Sequence, residues 1–246
     1  MINQLININE SDLDRKIYRV FNEERFFQLF DNNELVLVRP KLWEDPFENF
    51  LMNCEYEGND GSKFKIGFRD KFYGQCWTEK IESDAMWRIY ASNKDGFKVQ
   101  TTIRKLINAL YTNVKEFPEL SCFIGRVKYL NRNKINQLLN SPKEIKRMLL
   151  DNTGRGQASS LLFKKTPFNH EKEIRIIHST KQSTNSDLFK IPIKQNDLFE
   201  SITIDPRMKY SEFRKMKDRI IDYGYKNSIK QSNLYRIKIK SIKLDM

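Results

Sequence analysis

Histidine and cysteine are both scarce in this chain of 246 residues. His170 and His178 are its only histidines, and Cys54, Cys76 and Cys122 lie far apart, without a Cys-x-x-Cys spacing. A zinc site needs closely spaced ligands, and a serine hydrolase needs a histidine near a glycine-flanked serine, so neither is predicted. An odd number of scattered cysteines favours free, reduced thiols over a disulfide framework.

Long apolar runs and nucleotide-binding signatures are missing as well. No segment approaches the roughly 20 apolar residues that a membrane helix needs, and residues 1–7 lack the basic and apolar regions of a signal peptide. Gly154-Arg155-Gly156 is not a dinucleotide fingerprint, because no strand is predicted before it and the third glycine is absent. We expect a basic loop there, and a cytoplasmic protein without a membrane partner.

Positive charge is the strongest feature of the composition. Lysine and arginine number 44 against 32 aspartates and glutamates, which gives a formal net charge of +12. Such an excess favours a polyanionic partner, and RNA or DNA is the simplest one. The alternative is that the charge serves only to keep the protein dissolved.

The hydrophobic pattern predicts one α+β domain over residues 15–246, preceded by a polar lead-in at residues 1–14. Strands and helices alternate without a regular β-α-β order, so we expect a mixed, mostly antiparallel sheet flanked by helices. Strands are predicted at 17–21, 34–39, 73–78, 97–101, 122–130, 174–178, 188–193, 201–206 and 234–244, and helices at 23–30, 83–90, 103–111, 133–151 and 211–222.

The stretch from Phe163 to His178 is predicted to be a loop that leads into a strand. Alternation along that strand places Glu171, Glu173 and Arg175 on one side, facing water or a cleft. Two neighbouring carboxylates in a cleft tend to have different pKa values, so they can take different catalytic roles. The alternative is a solvated face in which the charges neutralise neighbouring strands.

Three aromatic residues, Trp77, Trp87 and Tyr90, fall within one predicted strand-helix-strand unit. Large aromatic residues at helical spacing are usually core residues, but a group of them beside a loop can also stack on a flat heteroaromatic ring. Trp87 and Tyr90 are three residues apart and share a helix face. Both interpretations stay open at this point.

Three charged residues elsewhere in the chain also have two interpretations. Arg19 follows Tyr18 in the first strand. It is either a surface charge or a bidentate hydrogen-bond donor to a phosphate or ribose-diphosphate. Asp45 and Glu48 are expected to cap the helix that follows them, or Asp45 could serve as a catalytic carboxylate.

Four short motifs follow one another along the chain. They are Tyr18-Arg19 in a strand, Glu44-Asp45-Pro46-Phe47-Glu48 in a loop, Met86-Trp87-Arg88-Ile89-Tyr90 in a helix, and Glu171-Lys172-Glu173-Ile174-Arg175 at a strand. Their order closely resembles a widespread bacterial domain family of unassigned function. The resemblance spans residues 17–206 and does not itself imply an activity.

An arginine in the first strand, an aromatic residue mid-chain and a late Glu-x-Glu are together similar to the plan of ADP-ribosyltransferases. This second, weaker resemblance implies NAD as a substrate. Arg19, with Tyr18, would bind the ribose or diphosphate of NAD, and Tyr90, with Trp77 or Trp87, would pack on the nicotinamide. Glu173 would be the catalytic glutamate, and Glu171 would orient the acceptor.

The resemblance leads to the hypothesis of a toxin or phage-defence enzyme that modifies nucleic acid or a protein. A toxin of this kind implies a neutralising antitoxin or another defence-system protein as partner. Two alternatives remain open. One is a metal-dependent nuclease that uses Asp45 or Asp205 with Glu173, and the other is a basic nucleic-acid-binding or partner-binding module without catalysis.

Overall fold

The computed structural model describes residues 2–67, 69–114, 118–181 and 184–237. Its strands are β1 (Leu5–Ile6), β2 (Lys16–Phe21), β3 (Glu34–Val38), β4 (Glu55–Glu57), β5 (Lys63–Lys65), β6 (Phe72–Thr78), β7 (Phe97–Thr102), β8 (Cys122–Arg126), β9 (Lys128–Leu130), β10 (Phe163–Lys165), β11 (Glu173–Ser179), β12 (Leu188–Pro192), β13 (Ser201–Ile204) and β14 (Ser228–Gln231).

The helices in the described residues are α1 (Glu23–Asn32), α2 (Phe50–Asn53), α3 (Asp84–Tyr90), α4 (Ile103–Asn113), α5 (Pro118–Ser121), α6 (Arg132–Leu139), α7 (Pro142–Leu149), α8 (Arg155–Ser160), α9 (Gln195–Leu198) and α10 (Tyr210–Asp222). Several begin at side chains that accept a backbone N–H of the first turn. Asn22 caps α1, and Ser83 caps α3. None of the described helices has the length and apolar character needed to cross a membrane.

Ten strands of the described chain form one sheet in the order β1-β8-β11-β6-β2-β7-β13-β14, with β3 on β6 and β12 on β3. Most neighbours are antiparallel, while β1–β8 and β13–β14 are parallel. The prediction of an α+β fold with a mixed, mostly antiparallel sheet is confirmed. Strands such as β2 and β7 lie where the sequence predicts them, because apolar and polar residues alternate along these segments.

Strand β6 has two different neighbours on one of its edges. It pairs with β2 only at Tyr18–Thr78 and with β3 only at Val38–Gly74. Its opposite edge pairs with β11 along its whole length. The sheet therefore divides beside the middle of β6, and the side chains near that division form the site described below.

The two faces of the sheet carry different layers. One face, which includes Trp77, Ile174 and Ile176, forms the main core against helices such as α1 and α4. The other face carries a smaller apolar cluster with Phe123 and Ile177 under α8. Along β11, Glu173 and Arg175 share the face of this smaller cluster with Ile177, since side chains alternate between faces.

Several predicted elements differ from the structure. The strand predicted over 122–130 divides at Val127, whose N–H donates to the Glu173 carbonyl (3.0 Å) before the chain leaves the sheet to pair as β9 with β10. The helix predicted over 133–151 is two helices, because Pro142 begins a new one. Of the basic loop predicted at residues 154–156, Gly154 lies in the turn before α8 with a left-handed conformation, whereas Arg155 and Gly156 belong to the helix.

Both ends of the chain also differ from expectation. Within the predicted polar lead-in, Leu5–Ile6 form β1 and pair with β8, so this segment adds a strand to the sheet. Of the strand predicted over 234–244, residues 238–246 lie outside the described residues, and residues 234–237 contain a turn and no strand.

Candidate active site

Glu173 and Arg175 lie at the start of β11 on the face opposite the main core. The guanidinium of Arg175 holds the Glu173 carboxylate with two hydrogen bonds, Nε to Oε1 at 2.9 Å and Nη2 to Oε2 at 3.0 Å. Both side chains are buried, and Arg175 is fully so. The interpretation of these two residues as a solvated face is therefore wrong, because α8 and the loop before α2 cover this part of the sheet.

Glu48 and Lys164 complete a buried ionic network with Glu173 and Arg175. Arg175 Nη2 lies 3.0 Å from Glu48 Oε1, and Lys164 Nζ lies 2.9 Å from the same oxygen and 3.4 Å from Glu173 Oε2. The guanidinium also stacks on the ring of Trp43, 4.5 Å from its centroid. Buried charges are tolerated when each is paired in this way.

Glu171 belongs to the same network but not to the strand. It ends a 3-10 helix, Thr166–Glu171, and the next residue, Lys172, has a left-handed backbone (φ 48). Its Oε2 lies 2.5 Å from Lys164 Nζ, and its carbonyl accepts a hydrogen bond from the hydroxyl of Thr78. Its side chain is 20% exposed against 5% for Glu173, so Glu171 is the more accessible carboxylate.

The electrostatic balance differs among these acids. Burial raises the pKa of Glu173, but the opposite effect of Arg175 and Lys164 is larger. The pKa therefore lies below its usual range, and the group is ionised at neutral pH. Burial raises the pKa of Glu48 despite the same two cations. Burial lowers the pKa of Lys164, but the glutamates around it more than reverse this, so it keeps its charge.

Arg19 extends from β2 into the division of the sheet. Its Nη1 donates to the carbonyl of Cys76, in the part of β6 that β2 and β3 leave unpaired. Burial lowers the pKa of the guanidinium, while Cys76, Tyr90 and Glu173 nearby act to raise it. Its Nε is buried without a hydrogen-bond partner in the described part of the chain. Such an orphaned donor is unusual in a native structure.

Tyr90, at the end of α3, faces the carboxylates while remaining half exposed. Burial raises the pKa of its hydroxyl to about 12, with further contributions from Glu171, Cys76 and Glu173. The Tyr90 hydroxyl is therefore close enough to Arg19 and the two glutamates to interact with them electrostatically. Tyr90 is thus the aromatic residue of the three that presents a ring surface at the site.

The two tryptophans do not line this site. Trp77 lies on the opposite face of the sheet, in the main core, where its Nε1 donates to Gln75 (2.9 Å). Trp87 is fully buried, packs with Val20, and donates its Nε1 to Glu82 (2.8 Å). Assigning either ring to ligand stacking is therefore a wrong interpretation, and their alternative role as core residues holds.

Tyr18 lies close to the site through its backbone rather than its ring. It pairs with Thr78 in the sheet, and its side chain is buried with Lys98 Nζ 5.5 Å from the ring centroid. Burial raises the pKa of its hydroxyl. Tyr18 therefore fixes Thr78, and with it the Glu171 turn, without offering its ring to a ligand.

The residues proposed for a nuclease are engaged elsewhere. Asp45 caps the turn Pro46–Asn49 by accepting from Phe47 N (3.0 Å), as predicted. Asp205 follows β13 and is held by Arg207 (2.6 Å), on the far side of β2 and β7 from Glu173. The nuclease arrangement of Asp205 with Glu173 is therefore wrong. No group of three or more histidine, cysteine or acidic residues suited to a metal ion occurs in the residues that the structure describes.

Sequence patterns missed two members of the network. Glu48 is not a cap but a buried partner of Lys164 and Arg175. Lys164 lies in β10, whose three residues give no clear strand signal. The sequence does contain one signal for this network: Lys164 follows the apolar residues Leu161-Leu162-Phe163. A lysine in such a setting needs acidic partners if it is buried.

Comparison with known proteins gives one match to a family model. The model of a family described as "Protein of unknown function (DUF2971)" matches residues 86–176. The predicted resemblance to a family of unassigned function is confirmed. The matched stretch begins in α3 and ends in β11, so it contains Tyr90, Lys164, Glu171, Glu173 and Arg175. No curated protein matches the chain.

Solved structures that match include DarT from Thermus sp. 2.9. The complex with NAD+ has a TM-score of 0.42 at 9% identity, covering 89% of this chain and 96% of that one. The complex with ADP-ribosylated ssDNA has a TM-score of 0.42 at 9% identity, covering 89% and 94%, and the complex with carba-NAD+ has 0.41 at 10%, covering 92% and 97%. Similarity at this level carries no argument about activity or ligand.

Proposed function

We propose that the protein is a cytoplasmic enzyme of toxin or phage-defence type that transfers ADP-ribose from NAD to a nucleic acid or a protein. One observation carries the proposal. Two carboxylates, one rigidly held and ionised and one accessible, lie with Arg19 and Tyr90 where the sheet divides. A toxin of this kind would be accompanied by a neutralising protein.

The reaction needs a fixed negative charge beside the sugar. The bond between the ribose and the nicotinamide nitrogen breaks, the nicotinamide leaves with the bonding electrons, and a positive charge develops on the ribose. A nucleophile of the acceptor then bonds to the same carbon and releases a proton. A carboxylate fixed next to an oxocarbenium-like ribose stabilises it, as carboxylates do in glycosidases.

The geometry supports different roles for the two glutamates. Arg175 holds Glu173 in one orientation, and the pKa of Glu173 is below its usual range, so it offers a fixed charge to the ribose. Glu171 is more exposed and has one cationic partner, Lys164, within the described residues. It is therefore suited to receive the proton of the acceptor.

Arg19 and Tyr90 would bind the rest of the substrate. The Arg19 Nε has no hydrogen-bond partner in the described residues, so a small shift of the guanidinium would let it bind a phosphate or ribose oxygen. The half-exposed ring of Tyr90 would pack on the nicotinamide.

Incubation with radiolabelled NAD and total cellular RNA, DNA and protein tests the proposal. The wild type should label one acceptor class, and Glu173→Gln should reduce transfer by a factor on the order of a hundred to a thousand. Glu212→Gln, on the exposed face of α10, is the matched control and should transfer like the wild type. Should Glu173→Gln fold poorly, Glu171→Gln and Arg19→Gln take its place. Absence of both label transfer and nicotinamide release in the wild type would overturn the proposal.

A binding module without catalysis is the second candidate, and one observation favours it. The network of Glu48, Lys164, Glu173 and Arg175 links β11 to the Pro46–Asn49 turn and to β10, which is a structural role in its own right. Nucleic-acid binding that is unchanged by Glu173→Gln, with no effect of NAD and no transfer, would favour this module.

A further inference from the structure

A broad groove of about 1210 Å³ lies beside the candidate active site. Helices α6, α7 and α8 form much of its wall, and the strand pair β9–β10 contributes Lys128, Leu130 and Phe163. The groove contains none of the carboxylates described above. It is therefore a separate feature of the molecule that the proposed reaction does not use.

The lining of this groove is strongly basic. Exposed cations project from three of its elements: Lys128, Lys134, Lys143, Lys146 and Arg147. None of these five forms an ion pair with a carboxylate in the described part of the chain. The groove also contains Glu144 and Asp151, and the Asp151 carboxylate is already engaged by the N–H groups of Thr153 and Gly156.

We propose that this groove binds the phosphate backbone of single-stranded nucleic acid. A nucleic-acid strand carries one negatively charged phosphate per nucleotide. A concave, basic surface with several unpaired cations can bind several of these phosphates at once. A duplex presents its phosphates on a convex surface and is usually read by a helix that enters its major groove. The apolar lining includes Leu130, Met148 and Leu150, and the aromatic residue among the lining, Phe163, is buried. The contact is therefore expected with the phosphates, which are the same at every nucleotide, and not with the bases.

The groove is connected to the candidate active site through one strand pair. In the register of β9 and β10, Phe163 lies opposite Lys128, and Lys164 lies opposite Tyr129. Phe163 and Lys128 line the groove, whereas Lys164 contacts Glu171, and Tyr129 accepts the N–H of Glu173 (2.9 Å). A strand bound in the groove would therefore place its neighbouring nucleotides near Glu171, which makes it the acceptor if the proposed function holds.

The test measures binding alone, without NAD, so that its failure is distinguishable from a failure of the transferase. Fluorescence anisotropy of a labelled single-stranded oligonucleotide is followed at several salt concentrations. The groove variant is Lys143→Gln/Lys146→Gln/Arg147→Gln. The matched control, Lys215→Gln/Lys226→Gln/Arg214→Gln, removes the same charge from exposed positions outside the groove.

If each of the three groove cations contacts one phosphate, the slope of log K against log salt falls by about 0.7 per contact, or about 2 in total. The groove variant should then bind about a hundredfold more weakly at 0.1 M salt, while the control variant changes much less. Glu212→Gln, at an exposed position on α10 outside the groove, should bind the oligonucleotide like the wild type. Equal unfolding midpoints of the two triple variants would show that folding is intact.

Three results would overturn the proposal. One is equal weakening in the groove and control variants, which would mean that only net charge matters. Another is equal or tighter binding of a duplex of the same length. The third is loss, in the groove variant, of binding to vesicles containing phosphatidylserine while oligonucleotide binding is retained, which would assign the groove to a lipid surface.

Discussion

Replacing Arg175 with methionine removes the cation at the centre of the buried network. The arginine makes ionic contacts at 2.9 to 3.0 Å with Glu173 and Glu48 and donates to the Leu161 carbonyl (2.6 Å). Methionine has a similar length and can keep the contact with Trp43, so the change chiefly removes the charge. Two buried carboxylates would then share one remaining cation, Lys164.

The expected cost follows from that loss of pairing. Removing one partner of a buried ion pair typically destabilises a protein by about 3–5 kcal/mol, because the other charge is left unpaired. Adding Glu173→Gln should recover part of this loss, since the amide no longer carries the charge. The double variant should be more stable than the sum of the two single effects by about 1–3 kcal/mol.

Urea unfolding followed by far-ultraviolet circular dichroism measures these free energies. Fluorescence is less suitable, because Trp43 contacts the substituted side chain. Arg88→Met removes an exposed ion pair with Asp84 and is the matched control, with no measurable shift expected. A cost below about 1 kcal/mol for Arg175→Met, or strict additivity in the double variant, would refute the reasoning.

Two further predictions concern the other face of the sheet and the start of α8. Burial lowers the pKa of His178 from 6.5 to about 4, so as the pH falls through this window the unfolded chain gains a proton that the folded one does not. The free energy of unfolding should fall by on the order of 3 kcal/mol between pH 6.5 and about pH 4. In urea unfolding at a series of pH values, His178→Gln should lose much less stability over this range. Parallel profiles for the wild type and the variant would contradict the prediction. Gly154→Ala should cost about 1–3 kcal/mol more than Gly61→Ala. Both glycines have a φ near +77 (76 and 77), but a Cβ at Gly154 would lie 2.7 Å from the Leu120 carbonyl, whereas one at Gly61 meets nothing within 4 Å. Equal unfolding midpoints for the two variants would exclude the clash.

Local signals predicted much of the fold. The alternation of β2, the amphipathic pattern of α1 after Asn22, and the short helix after Ser83 all depend on residues close in sequence. Local signals did not predict the strand boundaries that depend on contacts between residues far apart in the sequence. After Val127 the chain changes partner, because the N–H of Lys128 donates to the carbonyl of Leu162 (2.7 Å), 34 positions along the chain. No local pattern carries that information.

The candidate site was only partly predictable for the same reason. The sequence predicts Glu171, Glu173, Arg19 and Tyr90 as site residues, and the structure places them near one another, while their roles stay a proposal. Trp77 was misplaced because the face of a strand residue depends on the register with its neighbour. Trp77 pairs with Ile174, so it shares the core face, whereas Glu173 pairs with Thr78.

Release of nicotinamide from NAD is the most direct test of the proposed activity. It is measured by chromatography with the wild type, Glu173→Gln and the control Glu212→Gln, in the presence of single-stranded oligonucleotide. Release by the wild type and the control, slowed about a hundredfold to a thousandfold by Glu173→Gln, is the predicted result. Equal release by all three proteins, or none from the wild type, would contradict the assignment of Glu173 to the chemistry of NAD.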